Sequence, residues 1–275
     1  MKLKKHWKII FSILIILIFL FIYMRYIGTS GLKIREYKVI NNKLTSFYGF
    51  KIVHFSDLHY GMTVDEKKLN KLVEMINKTK PDLVFFTGDL VDRHTKVNES
   101  INNILVNNLS KIDSTYGKFY VTGNHDKVNI SYDSIMNKSN FKSLDEAYEI
   151  VSSKDNKSMF ITGVAVDKSL SDSTIEKINL NNYEYKILLM HYPDEVDNIL
   201  KYNFDLVLSG HSHNGQVRLP VIGKIITPHD AKKYYDPYYK LDNTELYISG
   251  GIGNSTLNLR LFNKPSFNLY RLVDK

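Results

Sequence analysis

Five short polar clusters in this chain carry the side chains that bind divalent metals. They are Asp57-Leu58-His59, Gly88-Asp89-Leu90-Val91-Asp92-Arg93, Gly123-Asn124-His125-Asp126, His191 and Gly210-His211-Ser212-His213. The last is the most compact, because imidazoles at i and i+2 on a glycine turn can aim at one point or at two points a few ångströms apart. The chain has no cysteine, so any metal must be held by His, Asp, Glu or Asn. The carboxylates of Asp57, Asp89 and Asp92 with one carboxamide and five imidazoles exceed the four ligands of a single zinc ion and suit two divalent ions sharing a bridging carboxylate. Two dications offset by Asp57 and Asp89 leave a net charge of about +2, which points to an anionic phosphate as substrate. Imidazole favours Mn, Fe or Zn over Mg, which prefers oxygen ligands and retained water.

The clusters make sense together only if strands deliver them to one place. Each follows a short apolar run: Phe50 to Ser56, Leu83 to Thr87, Lys118 to Thr122, Tyr185 to Met190 and Phe204 to Leu208. Between them lie helical patterns, Glu66 to Thr79 with Leu69, Leu72, Val73 and Ile76 at helical spacing, and Ser100 to Ile112 with Ile101, Ile104, Leu105 and Leu109. This βαβαβ start predicts a largely parallel sheet, whose strand ends share one edge where ligands bind. Further strands are expected at Glu149 to Ser152 and Met159 to Val166, and a helix at Pro193 to Lys201. Short strands near Gln216 to Leu219, Lys224 to Ile226, Glu245 to Ser249, Leu257 to Phe262 and Ser266 to Leu272 predict an antiparallel finish.

The formal charge of +8 suggests a polyanion partner until its location is examined. Lys2, Lys4, Lys5, Lys8 and Arg25 lie in the first 27 residues, which contain no acid. The remaining 32 basic and 29 acidic residues nearly balance, so no nucleic-acid partner is expected. From Ile9 to Met24 every residue is apolar or aromatic except Ser12, and Trp7 to Ile27 as a helix spans about 30 Å, a bilayer core. A cleavable signal peptide has a shorter apolar centre and a small-residue cleavage site, which Gly28-Thr29-Ser30-Gly31 matches poorly. The reading is an uncleaved anchor at 1–27, a connector at 28–48 and a catalytic domain at 49–275. The basic start places the amino terminus in the cytoplasm and the domain outside the cell membrane, against the opposing pull of Arg25, Lys33, Arg35 and Lys38.

The ordered set of clusters resembles the calcineurin-like metallophosphoesterase superfamily over residues 50 to 270. With the leading apolar helix, Ser56-Asp57-Leu58-His59 and Gly250-Gly251-Ile252-Gly253, it is most similar to the bacterial membrane-anchored group of YkuE and YaeI type. The resemblance implies a four-layer αββα sandwich of two mixed sheets. It implies one metal held by Asp57, His59, Asp89 and His213, and a second held by Asp89, Asn124, His191 and His211. His125 would then contact the phosphate and protonate the leaving oxygen, oriented by Asp92. Asn214 departs from the glycine common in relatives, which bears on loop conformation, since neither residue is a ligand in the family pattern.

Other candidates have plainer readings. His54 lies inside a strand and is expected to be a satisfied core histidine; His94 and His229 are expected at the surface, and His6 sits beside the anchor. Arg93 and Arg260 are candidate substrate contacts. The segment Lys232 to Lys240 mixes lysines and tyrosines as a headgroup-facing loop does, although a solvated loop has the same composition. The expected function is a membrane-anchored phosphohydrolase cleaving a phosphoester or pyrophosphate of a small molecule, lipid or envelope precursor. The alternatives are a silent scaffold on the same fold, which loss of ligands would mark, and a nuclease.

Overall fold

Alternation along the strands divides the molecule into layers. In a computed structural model, which describes residues 2–180, 183–225, 227–254 and 257–275, the chain opens with helix α1 (Lys2–Ile22), strand β1 (Lys33–Ile40) and strand β2 (Lys51–Phe55). Helix α2 (Glu66–Thr79), β3 (Leu83–Phe86), α3 (Glu99–Leu109), β4 (Gly117–Tyr120), α4 (Tyr132–Lys138) and β5 (Lys142–Ser143) follow. Then come β6 (Tyr148–Ser152), β7 (Ser158–Val164), α5 (Asp172–Leu180), β8 (Tyr185–Met190) and β9 (Leu206–Ser209). A hairpin of β10 (Arg218–Leu219) and β11 (Gly223–Lys224) precedes β12 (Tyr238–Leu241), β13 (Thr244–Ile248) and β14 (Ser266–Val273).

One sheet has the order β1-β14-β2-β3-β4-β5 and the other β12-β13-β9-β8-β7-β6. Odd and even residues of each strand serve different layers. In β2 and β3, Ile52, Leu83 and Phe85 meet Ile187, Leu189, Leu206 and Leu208 of the other sheet in the central layer. Their neighbours Val53, Phe55, Val84 and Phe86 pack outward under Leu69, Leu72, Ile76, Leu105 and Ile135 of the helices. On the far face Leu188, Met190 and Val207 pack against Ile178, Val196 and Ile199. The result is the expected αββα sandwich of two mixed sheets.

Local signals set the helix ends. Asp65 caps α2 by accepting from the Lys68 amide at 2.8 Å, and the helix ends at a left-handed Lys80 before Pro81. Asn98 caps α3 through the Ile101 amide at 2.9 Å.

Several expectations need correction. The supposed connector is part of the body: β1 pairs in parallel with β14 from Lys33 to Ile40, and Leu44 and Phe47 are buried between the sheets. As an edge strand with only Val39 fully buried, β1 lacks the alternation that marks a strand in sequence. The finish is mixed rather than antiparallel, because β13 runs parallel to β9 and β14 parallel to β1. Leu257 to Phe262 is irregular among its described residues and touches the hairpin region through a Val217–Leu261 bridge. Pro193 to Lys201 forms two short 3-10 turns instead of an α-helix. The expected strand near Lys224 starts at Gly223, and its end at Ile226 lies outside the described residues.

Candidate metal centre

The loops after β2, β3, β4, β8 and β9 meet at one sheet edge and are laced together by backbone. The Asp57 amide donates to the Gly88 carbonyl at 2.9 Å, the His59 amide to Asp89 at 3.1 Å and the Gly210 amide to His191 at 3.2 Å. Such tight turning straight out of a strand puts residues in the left-handed region. Asp57 (φ 50°), His59 (44°), Asp89 (63°), His211 (64°) and His213 (47°) all adopt it, and such concentrated backbone strain is typical of working sites. Asn214 also has a positive φ of 51°, which asparagine tolerates better than most residues, and its side-chain amide bonds Arg35 and the Ile248 carbonyl. Gly123 is needed for closeness: a Cβ there would lie 2.3 Å from Asp89 Oδ1.

The donor atoms gather at separations a cation can bridge. His213 Nε2 is 3.6 Å from Asp57 Oδ1, His59 Nε2 is 3.9 Å from the same oxygen and 3.7 Å from Asp89 Oδ2, and His191 Nε2 is 3.4 Å from Asp89 Oδ2. Ligands on a tetrahedral cation with bonds of about 2.1 Å stand roughly 3.4 Å apart. Two groupings, Asp57 with His59 and His213, and Asp89 with His191 and His211, each bring their ligand atoms close enough to hold an ion. A third joins His59, Asp92 and His125. Asn124 Oδ1 lies 3.0 Å from His191 Nε2, so the carboxamide joins the second group.

Hydrogen bonds behind the rings fix which nitrogen points inward. His191 directs Nδ1 at the Thr87 carbonyl (2.6 Å) and His211 directs Nε2 at the His229 carbonyl (2.7 Å), each turning the other nitrogen toward the cluster. Asp57 is held by the Ser56 hydroxyl and the His211 amide. His59 is the exception: it is fully buried, yet neither ring nitrogen has a hydrogen-bond partner among the described residues. A buried unpartnered polar group costs about 1–3 kcal/mol. The donor set therefore fits divalent cations that the protein itself does not supply.

The protonation states of His59, His211 and His213 agree. Burial pushes His59 down to about 3 and His211 to about 4, and puts His213 well below its usual value, so these rings offer lone pairs at neutral pH. Burial, with Asp89 nearby, lifts Asp57 to about 6, partly opposed by His191. Burial opposes charge on both Asp89 and His191, but their mutual attraction outweighs it. Asp89 falls well below its usual value and His191 rises to about 9.

His125 borders this cluster, with Nε2 3.9 Å from Asp89 Oδ2. Asp92, expected to orient it, places Oδ2 4.0 Å from His125 Nδ1, which accepts a hydrogen bond from the Arg93 amide at 3.2 Å. Arg93 lines the cavity of about 230 Å³ over the cluster, with His59, Asp89, Asn124, His125, His211 and His213. Arg260 does not. It is fully buried, and its guanidinium donates to Asn254 and to the carbonyls of Gly250, Gly251, Gly253 and Asn263, so it braces the glycine loop behind His213 and is no substrate contact. Nη2 also reaches His213 Nδ1 at 3.3 Å, a longer hydrogen bond shared with those to the Gly251 and Gly253 carbonyls.

Sequence reasoning missed Asp126. Its buried carboxylate accepts from the amides of Asp89 (2.7 Å), Leu90 (2.9 Å) and Gly123 (2.9 Å), tying two ligand loops together. Its place in the Gly-Asn-His-Asp cluster was the available signal. Tyr192, Pro228 and Asp230 also line the cavity, and only the fold brings them there. His54 is buried and bonded on both nitrogens and His94 is exposed, as expected; His229 is exposed but stands at the cavity rim.

Comparison with known proteins agrees with this site. The calcineurin-like phosphoesterase family profile matches residues 50–215. The uncharacterized metallophosphoesterase YkuE of Bacillus subtilis is 32% identical over 91% of this chain and 88% of its own length. The uncharacterized metallophosphoesterase Cj0846 of Campylobacter jejuni is 30% identical over 98% of this chain and 71% of its own, and the phosphodiesterase YaeI of Escherichia coli 26% over 86% and 88%. The chain belongs to the calcineurin-like phosphoesterase family and is a metal-dependent phosphoester hydrolase.

Proposed function

We propose that this protein is a membrane-anchored phosphohydrolase working with two divalent ions, Mn, Fe or Zn, on a phosphoester or pyrophosphate carried by a small molecule, lipid or envelope precursor. Asp57, His59, Asp89 and His213 would hold one ion; Asp89, Asn124, His191 and His211 would hold the other. The observation that carries the reading is the buried His59 ring, unpartnered on both nitrogens between Asp57 and Asp89. Divalent cations there would neutralise the non-bridging phosphoryl oxygens and lower the pKa of water. His125 contacts the phosphoryl group through Nε2 and gives its proton to the leaving oxygen. Asp92 faces Nδ1 at 4.0 Å and offsets the imidazolium charge, which requires the Arg93 amide to yield that nitrogen.

A neighbouring cavity of about 380 Å³ shares Arg93 and His125 with the metal cavity and adds Lys96, Val97, Val128 and Ile130. It suits a leaving group with anionic and apolar parts. The apolar segment His6–Ile27 has a mean hydropathy of 2.6, and none of it is buried in the body, which supports the anchor. In this reading the lysine-rich amino terminus is cytoplasmic and the domain extracytoplasmic, with the body starting at β1. The test is hydrolysis of monoesters, diesters, nucleotide pyrophosphates and phospholipids by full-length protein with added Mn. Asp89→Ala and His213→Ala should abolish turnover; activity surviving in either with metal content unchanged would remove the assignment. Cleavage of polynucleotides alone would replace the substrate class, and inertness with two tightly held ions would favour a scaffold.

A further inference from the structure

Where α1 reaches the body, a second apolar surface begins. The Met24 carbonyl at the end of the apolar segment accepts from the Arg260 amide at 3.0 Å, and Gly28 lies so close that a Cβ there would sit 1.9 Å from the Arg260 carbonyl oxygen. One residue on, Leu261 pairs with the base of the β10–β11 hairpin: its amide donates to Gln216 at 3.2 Å and its carbonyl accepts from Arg218 at 3.1 Å. The hairpin then projects a tip of Pro220, Val221 and Ile222 between paired Leu219 and Gly223. Backbone hydrogen bonds thus connect the apolar helix to the tip through a single intervening segment.

That tip is built against the rules for a solvated turn. Val221 is as exposed as a side chain can be (107%) and Ile222 is 72% exposed. Val221 also has φ +69°, a left-handed conformation that is an outlier for a β-branched residue. Asn, Asp or Gly would relieve both the strain and the exposure. Ile225, Leu257 and Phe262 on the adjoining segments are exposed as well. Basic and aromatic groups lie behind the tip: the Lys224 ammonium sits 3.6 Å from the centre of the Tyr235 ring, and Arg218 pairs with Asp236 at 2.6 Å. Apolar tip, aromatic and cation in that order is the profile of a segment entering a membrane interface.

We propose that the 218–224 hairpin dips its Val221–Ile222 tip, with Phe262 and Leu257 alongside, into the bilayer that α1 spans. The proposal rests on the anchor reading above and adds a second membrane contact. Two contacts fix orientation where a single helix leaves the body free to swivel. The chain leaving the hairpin reaches the metal cavity at Pro228, His229 and Asp230, and the His229 carbonyl holds His211. A seated hairpin therefore keeps the cavity mouth at headgroup level.

The absence of cysteine makes the test direct. Val221→Cys, Ile222→Cys, Leu17→Cys and Tyr48→Cys are made singly in the full chain, labelled with an environment-sensitive fluorophore and reconstituted in phosphatidylcholine and phosphatidylglycerol vesicles. Phosphatidylcholine with a doxyl group on its acyl chain is the quencher. Tyr48 is 68% exposed beside the amino end of β2, away from the strand ends that carry the site, and serves as the aqueous reference. Labels at Leu17, Val221 and Ile222 should be quenched roughly twofold or more, as for side chains seated about 5–10 Å into the interface, and the label at Tyr48 should not. Quenching at Leu17 with Val221 and Ile222 behaving like Tyr48 overturns the hairpin contact and leaves the anchor standing. No quenching at Leu17 overturns both. Ile225→Cys replaces a tip variant that fails to fold.

Discussion

His54 and His59 lie on the same strand and the loop that leaves it, both fully buried, both pushed down to about 3 by burial. Their surroundings differ. Between the sheets, His54 bonds the Tyr270 hydroxyl at 3.2 Å through Nδ1 and Thr87 Oγ1 at 2.9 Å through Nε2, while at the strand ends His59 bonds nothing among the described residues. Burial and basicity therefore do not separate a structural histidine from a metal-binding one. Bonding to groups outside the cluster does: His54 is satisfied on both nitrogens by core hydroxyls, His59 waits for a ligand the chain does not contain, and the second partner of His191 is Asn124, itself a candidate ligand.

The largest effects should come from breaking the incomplete region. Asp89→Asn keeps shape but removes the charge shared by His59, His125 and His191, and should lower phosphoester hydrolysis by at least about 10³-fold. His59→Phe should lose bound metal and about 10²-fold or more in rate, while its metal-free stability stays level or rises because two orphan nitrogens are gone. Metal analysis beside denaturant melts reads both. A metal-free His59→Phe protein markedly weaker than wild type would show that the ring has protein partners after all, and the contrast with His54 would collapse.

Much of this was legible in the residues, because strand-end clusters of Asp, His and Asn stand out against apolar runs whose length and bounds are strongly marked. The helix from Glu66 to Thr79 and the strand from Tyr185 to Met190 have the limits expected of them. What escaped had only a weak local signature. The edge strand β1 is exposed or half-buried at every residue but Val39, and Asp126 looks like any polar loop residue until Asp89 and Gly123 are brought against it. Arg260 reads as a free cation near glycines; only the folded loop shows its donors spent on carbonyls.

Chelation sharpens the contrast next. A cation at 100 times its dissociation constant stabilises the folded state by about 2.7 kcal/mol. Stripping metal should lower the melting temperature of wild type and of His54→Phe alike, and leave that of Asp89→Asn nearly unmoved. Taken alone, His54→Phe should cost about 1–3 kcal/mol by orphaning the Thr87 hydroxyl and leaving the Tyr270 hydroxyl with Asn268 alone, with metal content and turnover of the folded protein retained. Loss of metal in that variant would join two regions that the geometry keeps apart.

The smallest effect is a titration. His54 is neutral when folded, with its value lowered from 6.5 to about 3 by burial, so between those limits the unfolded chain binds a proton that the folded one refuses. Stability therefore falls as pH drops below 6.5, by about 1.4 kcal/mol per unit. His59, His211 and His213 contribute in the same direction and His191, raised to about 9, in the opposite one, so the informative quantity is the difference between wild type and His54→Gln, both measured with chelator present. From pH 7.5 to 5.5 wild type should lose about 1.4 kcal/mol more than the variant, since only half of that interval or so lies below the unfolded value. A flat difference would mean that His54 gains its proton inside the sheets as easily as in water. Its two hydrogen bonds would then not describe a closed environment, and partner counting would lose its power to tell the two histidines apart.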